Sequence, residues 1–451
     1  MAPRLGTRRF RRHAGVTAAV ALAALTLAAT SSSGQSAAHP VYNEIIGTGQ
    51  SLSTGLFANP AVSTVALWPT VALMTNLGVR QVIDRGEVRA LNPNLITALV
   101  PLVEASTSDH DGETIGAWMS FQINELALEA GQPPWPVVFS AHGVTGAPYS
   151  ILKRGTVPYN NSLGTIKRIA AILNRAGIRD VVRAVTVTHG ESDYIIGISA
   201  AEYEADLVQW RTDYDADVRA ITGQREPVML FTDQMNSHTS KVLGPRASPT
   251  SVIPLAQLKA ALDYPDSIVV VCPKYWLDYY RKDGAHLTGR SEELLGEKYG
   301  EAIKRTFVDG AIWKPLYINA ATVNGNVITL SYHIPTPPLV LDTALIRDPG
   351  NSGFVYIDDS PAPPKIRAVQ LDAGHNQVRI GLSAQPRAAP GHRHIQYAYV
   401  GSVQCPGGGC GAGPLTGPRG NLRDSDPMTS RLDGGGSIHL YNWAATQDFV
   451  F

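Results

Sequence analysis

The chain has 451 residues, of which 17% are charged, with 38 basic side chains against 38 acidic ones. This balance, with no strongly basic stretch, argues against nucleic acid as the main partner. Forty-two glycines and 31 prolines at so low a charge suit a compact, loop-rich extracellular protein rather than a disordered one, and the length allows two domains of roughly 150 residues each.

The first segment is expected to lie outside the fold. Arg8, Arg9, Arg11 and Arg12 form a basic cluster, an apolar run rich in Ala, Val and Leu extends from Ala14 to about Ala29, and Ser36-Ala37-Ala38 reads as a small-residue cleavage site. This layout predicts a secretory signal peptide over residues 1–38. A transmembrane anchor is the competing reading, but the run is shorter than the roughly 20 residues that cross a bilayer. The paired arginines match a twin-arginine signal weakly, because Phe10 follows Arg9 without a spacer. No later segment is long and apolar enough to span, so the mature chain is expected to be secreted or periplasmic, with no stable membrane span.

From Val41 onward, short apolar runs alternate with helical patterns. Strands are predicted at Asn43–Thr48, Val137–Ala141, Val181–Thr188, Val228–Thr232 and Ser267–Cys272. Their β-branched, apolar composition fits parallel strands buried on both faces. Helices are predicted at Thr114–Glu129, Leu163–Ala176, Ala200–Ile221, Leu255–Leu262 and Arg290–Phe307. The alternation means βαβ units and a doubly wound sheet, with ligands bound beyond the carboxyl ends of its strands. The catalytic domain is set at residues 41–312.

After Trp313 helical spacing disappears. Short β-like runs at Val327–Tyr332, Gly353–Ile357, Ile366–Leu371 and Val378–Leu382 are separated by turn formers such as Asn324-Gly325 and Pro361–Pro364. They predict a β-sandwich-like module over residues 313–400, followed by a Gly-rich segment, 401–451, packed on the rest. In that segment Cys405 and Cys410 bracket Pro-Gly-Gly-Gly. Export favours a disulfide there and the glycines allow a tight closure; two free thiols are the alternative. Cys272 ends an apolar run and is read as core.

Three blocks carry chemistry. Gly49-Gln50-Ser51-Leu52-Ser53 ends the first strand, where a serine can expose its hydroxyl and the following turn can aim N–H groups at an oxyanion. In Asp283-Gly284-Ala285-His286, an aspartate three residues before a histidine can reach Nδ1 and fix the tautomer. His189-Gly190-Glu191-Ser192-Asp193 places polar groups at the same sheet edge, and Ser192 and Asp193 would also serve as helix caps. Taken singly, each block would suit a turn or a helix entry. Each follows a predicted strand, so all three can converge on one crevice.

In this order the blocks resemble the SGNH (GDSL-like) hydrolase superfamily, in particular its sialate O-acetylesterase and acetylxylan esterase branch, over roughly Asn43 to Phe307. The resemblance implies a flavodoxin-like doubly wound sheet and a serine esterase in which Ser51 is the nucleophile, His286 the general base and acid, and Asp283 its orienter. It also implies an oxyanion hole built from the Ser51 N–H, a glycine N–H and the His189 side chain. The glycine is Gly143 of Ala141-His142-Gly143-Val144-Thr145-Gly146, with Gly146 as the alternative. Gln50 and Glu191 are supporting candidates. The chain departs from the branch at His189, where a glutamine is usual, at Leu52, often Asn, and at Val144, where a second glycine is usual.

No cofactor or metal is required by this chemistry. The expected substrate is an ester, an acylated glycan first; a lipase or arylesterase and a non-catalytic glycan-binding protein on an esterase scaffold are the alternatives. Asp109-His110-Asp111 and the pair His392 and His394 are read as exposed loop and strand positions rather than metal ligands. Trp118, Trp210 and Trp276 are read as core.

Overall fold

The computed structural model describes residues 40–82, 88–106, 111–405, 410–431 and 438–451. The expected leader, together with Asp109 and His110, lies outside the described residues.

A seven-stranded sheet forms the first layer: β1 Val41–Gly49, β2 Ala72–Thr75, β3 Leu99–Pro101, β4 Val137–Ala141, β5 Arg179–Thr188, β6 Met229–Gln234 and β7 Ile268–Pro273, in the order β3-β2-β4-β1-β5-β6-β7. Every neighbouring pair is parallel except β2 with β3. The five predicted strands are present with ends shifted by at most two residues. Strands β2 and β3 are new; at four and three residues they are too short to carry a readable alternation.

The helices are α1 Gly116–Glu129, α2 Tyr149–Leu152, α3 Val157–Arg175, α4 Glu191–Ile196, α5 Ala200–Thr222, α6 Ile253–Asp263 and α7 Gly289–Ile303. Helices α1 and α7 cover one face of the sheet, and α3, α5 and α6 the other. The strand period of two sends Ile45 of β1 into the first core and Ile46 into the second. Helix α7 approaches α1 closely because it carries glycines there. A Cβ on Gly296 would stand 2.7 Å from the Ile115 carbonyl oxygen, and one on Gly300 2.8 Å from that of Met119. This contact offsets the roughly 1 kcal/mol that each helical glycine costs against alanine.

The rest is antiparallel. Strands β8 Tyr317–Asn324, β9 Val327–His333, β10 Val340–Leu341, β11 Phe354–Asp358, β12 Ile366–Leu371, β13 Gln377–Leu382, β14 Arg393–Tyr397, β15 Leu422–Arg423 and β16 Gln447–Val450 form three sheets: β12-β13-β9-β8, β11-β14-β16 and β10-β15. Ile328, Leu330 and Ile380 of the first sheet share one core with Phe354, Ile395 and Tyr397 of the second, which gives the module its sandwich character. The segment beyond residue 400 is woven into both halves. It supplies β15 and β16 to the sandwich, and Leu440 to the core beneath α1 and α7. Among the described residues no helix is long and apolar enough to cross a membrane.

Candidate active site

Strand order reverses around β1, which lies between β4 and β5, so the crevice at a doubly wound sheet's switch point falls at the carboxyl end of β1. There the chain turns sharply through Gly49, whose φ is 133°. A Cβ at this residue would lie 2.2 Å from the Thr188 carbonyl oxygen of β5, so only glycine fits. Ser51 opens the 3-10 turn Ser51–Thr54, closed by Gly55 at φ 70°. The N-cap residue, Gln50, makes no side-chain capping bond, which leaves the turn's first N–H groups, that of Ser51 included, unclaimed within the turn.

His286 reaches Ser51 across 235 residues of sequence: its Nε2 lies 2.7 Å from Ser51 Oγ and its Nδ1 2.7 Å from Asp283 Oδ2. The other carboxylate oxygen of Asp283 accepts the backbone N–H groups of Ala285 (2.9 Å) and His286 (3.2 Å). Burial by itself would raise the Asp283 pKa. The hydrogen bonds from the His286 ring and these N–H groups outweigh it and hold the carboxyl below its usual value. Asp283 therefore stays ionised and fixes Nδ1 as the protonated nitrogen, leaving Nε2 to accept the serine proton. Phe57 borders the pair, its ring edge-on to His286 at 5.1 Å and stacked on Tyr280 at 5.0 Å.

Gly143 follows β4 and lies against the turn that carries Ser51. A Cβ there would stand 2.0 Å from Ser53 Oγ and 2.9 Å from the Gly49 carbonyl oxygen, and the neighbouring Val144 N–H donates to that carbonyl (3.0 Å). Gly146 instead occupies an open turn at φ 72°.

His189 corrects the expectation drawn for it. Its Nε2 lies 3.1 Å from the Ala147 carbonyl oxygen and 3.1 Å from Asp193 Oδ2, and its Nδ1 3.0 Å from the Tyr203 hydroxyl. The carbonyl can only accept, so Nε2 carries the proton. Burial first, opposed by the Ala147 bond and helped by the Lys274 charge, lowers the His189 pKa to about 4. The neutral ring has both nitrogens engaged, packs edge-on to Trp210, and is fully buried. It leaves no N–H for an oxyanion. The block reaches the Ser51 turn by another route, since the Ser192 N–H donates to Gln50 Oε1 at 2.9 Å.

Glu191 accepts from Ser237 Oγ (3.0 Å) and lies 3.8 Å from Lys274 Nζ. Lys274 Nζ in turn forms an ion pair with Asp233 Oδ1 at 2.5 Å. Burial would lower the Lys274 pKa, but the charges of Asp233 and Glu191 raise it, so this fully buried amine stays charged. The sequence reading missed the loop that follows β6. Ser237, His238, Thr239 and Ser240 are buried, and Ser240 Oγ donates to the Asp283 carbonyl at 2.5 Å. A run of small polar residues just beyond a buried strand was the available signal.

Cys405 and Cys410 are bridged, with Cα atoms 5.2 Å apart. Cys272 is buried, its thiol pushed up to about 12 by desolvation. Trp118 and Trp210 lie in the two cores of the parallel sheet, and Trp276 packs at the edge of the sandwich core. His392 pairs with Asp359 (2.6 Å) and His394 with Asp448 (3.0 Å).

No family model matches the chain, and no curated protein matches its sequence. Among solved structures it is similar to a carbohydrate acetylesterase from Xanthomonas citri, with a TM-score of 0.51 and 14% identity over 85% of this chain and 81% of that one. A protein from Arabidopsis thaliana (TM-score 0.41, 16% identity, 59% of this chain and 100% of that one) and NanS (0.39, 9%, 60% and 99%) align less well. The chain has the α/β fold of the SGNH hydrolases, joined to a β-rich module.

Proposed function

We propose that the chain is an exported serine esterase that removes O-acetyl groups from a glycan through an acyl-enzyme on Ser51. The observation that carries this reading is the Ser51–His286–Asp283 relay, with both links at 2.7 Å. In the first step Ser51 Oγ attacks the ester carbonyl while His286 Nε2 takes its proton. The N–H groups of Ser51 and Gly143 receive the oxyanion. Imidazolium then protonates the departing alcohol, and neutral His286 activates the water that releases the acid and frees Ser51. Asp283 stays ionised throughout.

The acetylated-glycan assignment draws on the resemblance of the blocks and on the likeness to a carbohydrate acetylesterase. The Phe57–Tyr280 stack beside His286 favours a second reading, simple aryl esters. A p-nitrophenyl ester series on the mature chain and on Ser51→Ala, followed by acetylated xylan and acetylated sialosides, separates them. Acetate turnover that vanishes in the variant, together with release from a glycan, supports the proposal. Turnover restricted to aryl esters supports the second reading. No turnover of any ester overturns both and leaves a glycan-binding protein on an esterase scaffold. Export is tested by the N-terminus of protein recovered outside the cytoplasm, expected near residue 39.

A further inference from the structure

We propose that the disulfide-held segment Cys410–Ala412 positions the Asp283–His286 turn, so that activity depends on the Cys405–Cys410 bridge; this rests on the esterase reading above. Gly284, at φ 71°, sits between the two relay residues. Its carbonyl accepts the Ala412 N–H at 2.8 Å, and a Cβ on it would lie 2.6 Å from Gly411 Cα. Two glycine backbones thus meet directly, with no side chain between them.

The loop after β6 ties the same segment and the same turn together. The Lys241 N–H donates to the Cys410 carbonyl (2.9 Å), and Thr239 Oγ1 donates to that of Gly411 (3.1 Å). Ser240 Oγ holds the Asp283 carbonyl, and Lys241 Nζ the Arg281 carbonyl (3.2 Å). Each of the three segments is hydrogen-bonded to the other two, so none can move without disturbing Asp283. Farther along, a Cβ on Gly413 would approach the Leu277 carbonyl oxygen to 2.9 Å, which extends the contact along the loop.

The bridge matters because the segment is rich in glycine. Glycine loses more conformational freedom on ordering than any other residue. A cross-link between residues five apart removes much of that freedom in advance. Without it, Cys410–Ala412 would leave its place against Gly284 for part of the time. Neither cysteine touches Ser51 or His286 among the described contacts, so their role is positioning.

The test compares the full oxidised chain with Cys405→Ser/Cys410→Ser and with Ser240→Ala, which keeps the bridge. The readouts are kcat and KM on p-nitrophenyl acetate and the rate at which a fluorophosphonate labels Ser51, with circular dichroism as the folding control. In the bridge-free variant both kcat and labelling are expected to fall about 10- to 100-fold, the scale for a misplaced catalytic group, while KM stays within about threefold. Ser240→Ala is expected to move both in the same direction. A bridge-free variant that keeps kcat and labelling within about twofold overturns the proposal. If that variant does not fold, the folded wild-type chain decides after mild reduction of the bridge with dithiothreitol: unchanged labelling of Ser51 overturns the proposal and a drop of about tenfold or more supports it. A wild-type chain that neither labels at Ser51 nor turns over ester overturns the esterase reading, and this inference with it.

Discussion

Two histidine–carboxylate pairs stand at the same edge of the parallel sheet and differ in what remains free. His286 uses Nδ1 on Asp283 (2.7 Å) and keeps Nε2 for Ser51, with 14% of its side chain exposed. His189 contacts Asp193 at 3.1 Å, and its exposure is zero. The Ala147 carbonyl and the Tyr203 hydroxyl occupy its ring, and burial keeps it neutral at ordinary pH. A histidine beside a carboxylate therefore need not have a nitrogen free for a reacting group. One nitrogen must remain available at a place that substrate can reach, and a fully enclosed ring spends both on the fold.

The widest separation between the pairs is expected from the nucleophile. Ser51→Ala, or His286→Ala, should lower kcat on p-nitrophenyl acetate by about three orders of magnitude or more, and the double variant should be little worse, because the two act as a unit. Additive losses would break the assignment. Next, Gly49→Ala should cost about 1–3 kcal/mol in stability through backbone strain and lower kcat roughly 10- to 100-fold by shifting Ser51. Urea unfolding and ester hydrolysis on the same sample check both.

On the other side of the comparison, His189→Ala should destabilise by about 2–4 kcal/mol, since it strands the polar partners of the ring and opens a cavity. Its kcat per folded molecule should stay within about threefold. A hundredfold loss of kcat at unchanged stability would return His189 to the oxyanion site.

In the wild-type chain the smallest effect is the pH dependence of stability, because two groups offset each other. Burial lowers the folded pKa of His189 to about 4, so its contribution is present above the unfolded value of about 6.5 and is lost as pH falls toward 4. For Asp193 burial raises the folded pKa to about 7, against a backbone hydrogen bond from Tyr149. Its contribution is present below about 3.9 and is lost as pH rises toward 7. The two oppose each other over one window. Asp193→Asn should unmask the histidine and add a loss of about 3 kcal/mol between pH 6.5 and pH 4. Unfolding curves across that range would show it, and a slope no steeper than wild type would contradict the neutral assignment.

Much of the parallel sheet was legible because its strands are continuous β-branched runs. Val137–Ala141 was placed to the residue, and Val181–Thr188 lacked only the first two positions of its strand. Strands β2 and β3 were not legible, being short elements at one end of the sheet, held by pairing rather than by a pattern of their own. The Ser51–His286–Asp283 contact was legible because its two blocks each follow a strand of the parallel sheet. The role of His189 was not, because its partners Ala147 and Tyr203 lie 42 and 14 residues away and nothing in the local pattern names them. The tie between Gly284 and Ala412 was invisible for the same reason: it joins two backbones, which carry no residue-type signal.

By itself the sequence determined what depends on neighbours along the chain: the alternation of strand and helix, the glycine before Ser51, and the three-residue spacing that lets Asp283 reach His286. Tertiary structure alone decided what depends on enclosure and on contacts between distant segments. It turned His189 into the core and left His286 open. It also bound the C-terminal segment to the Asp283–His286 turn. The reason is physical: backbone propensity and side-chain reach act over a few residues, whereas desolvation and the last hydrogen bond of a polar group are settled only when the whole chain has closed around it.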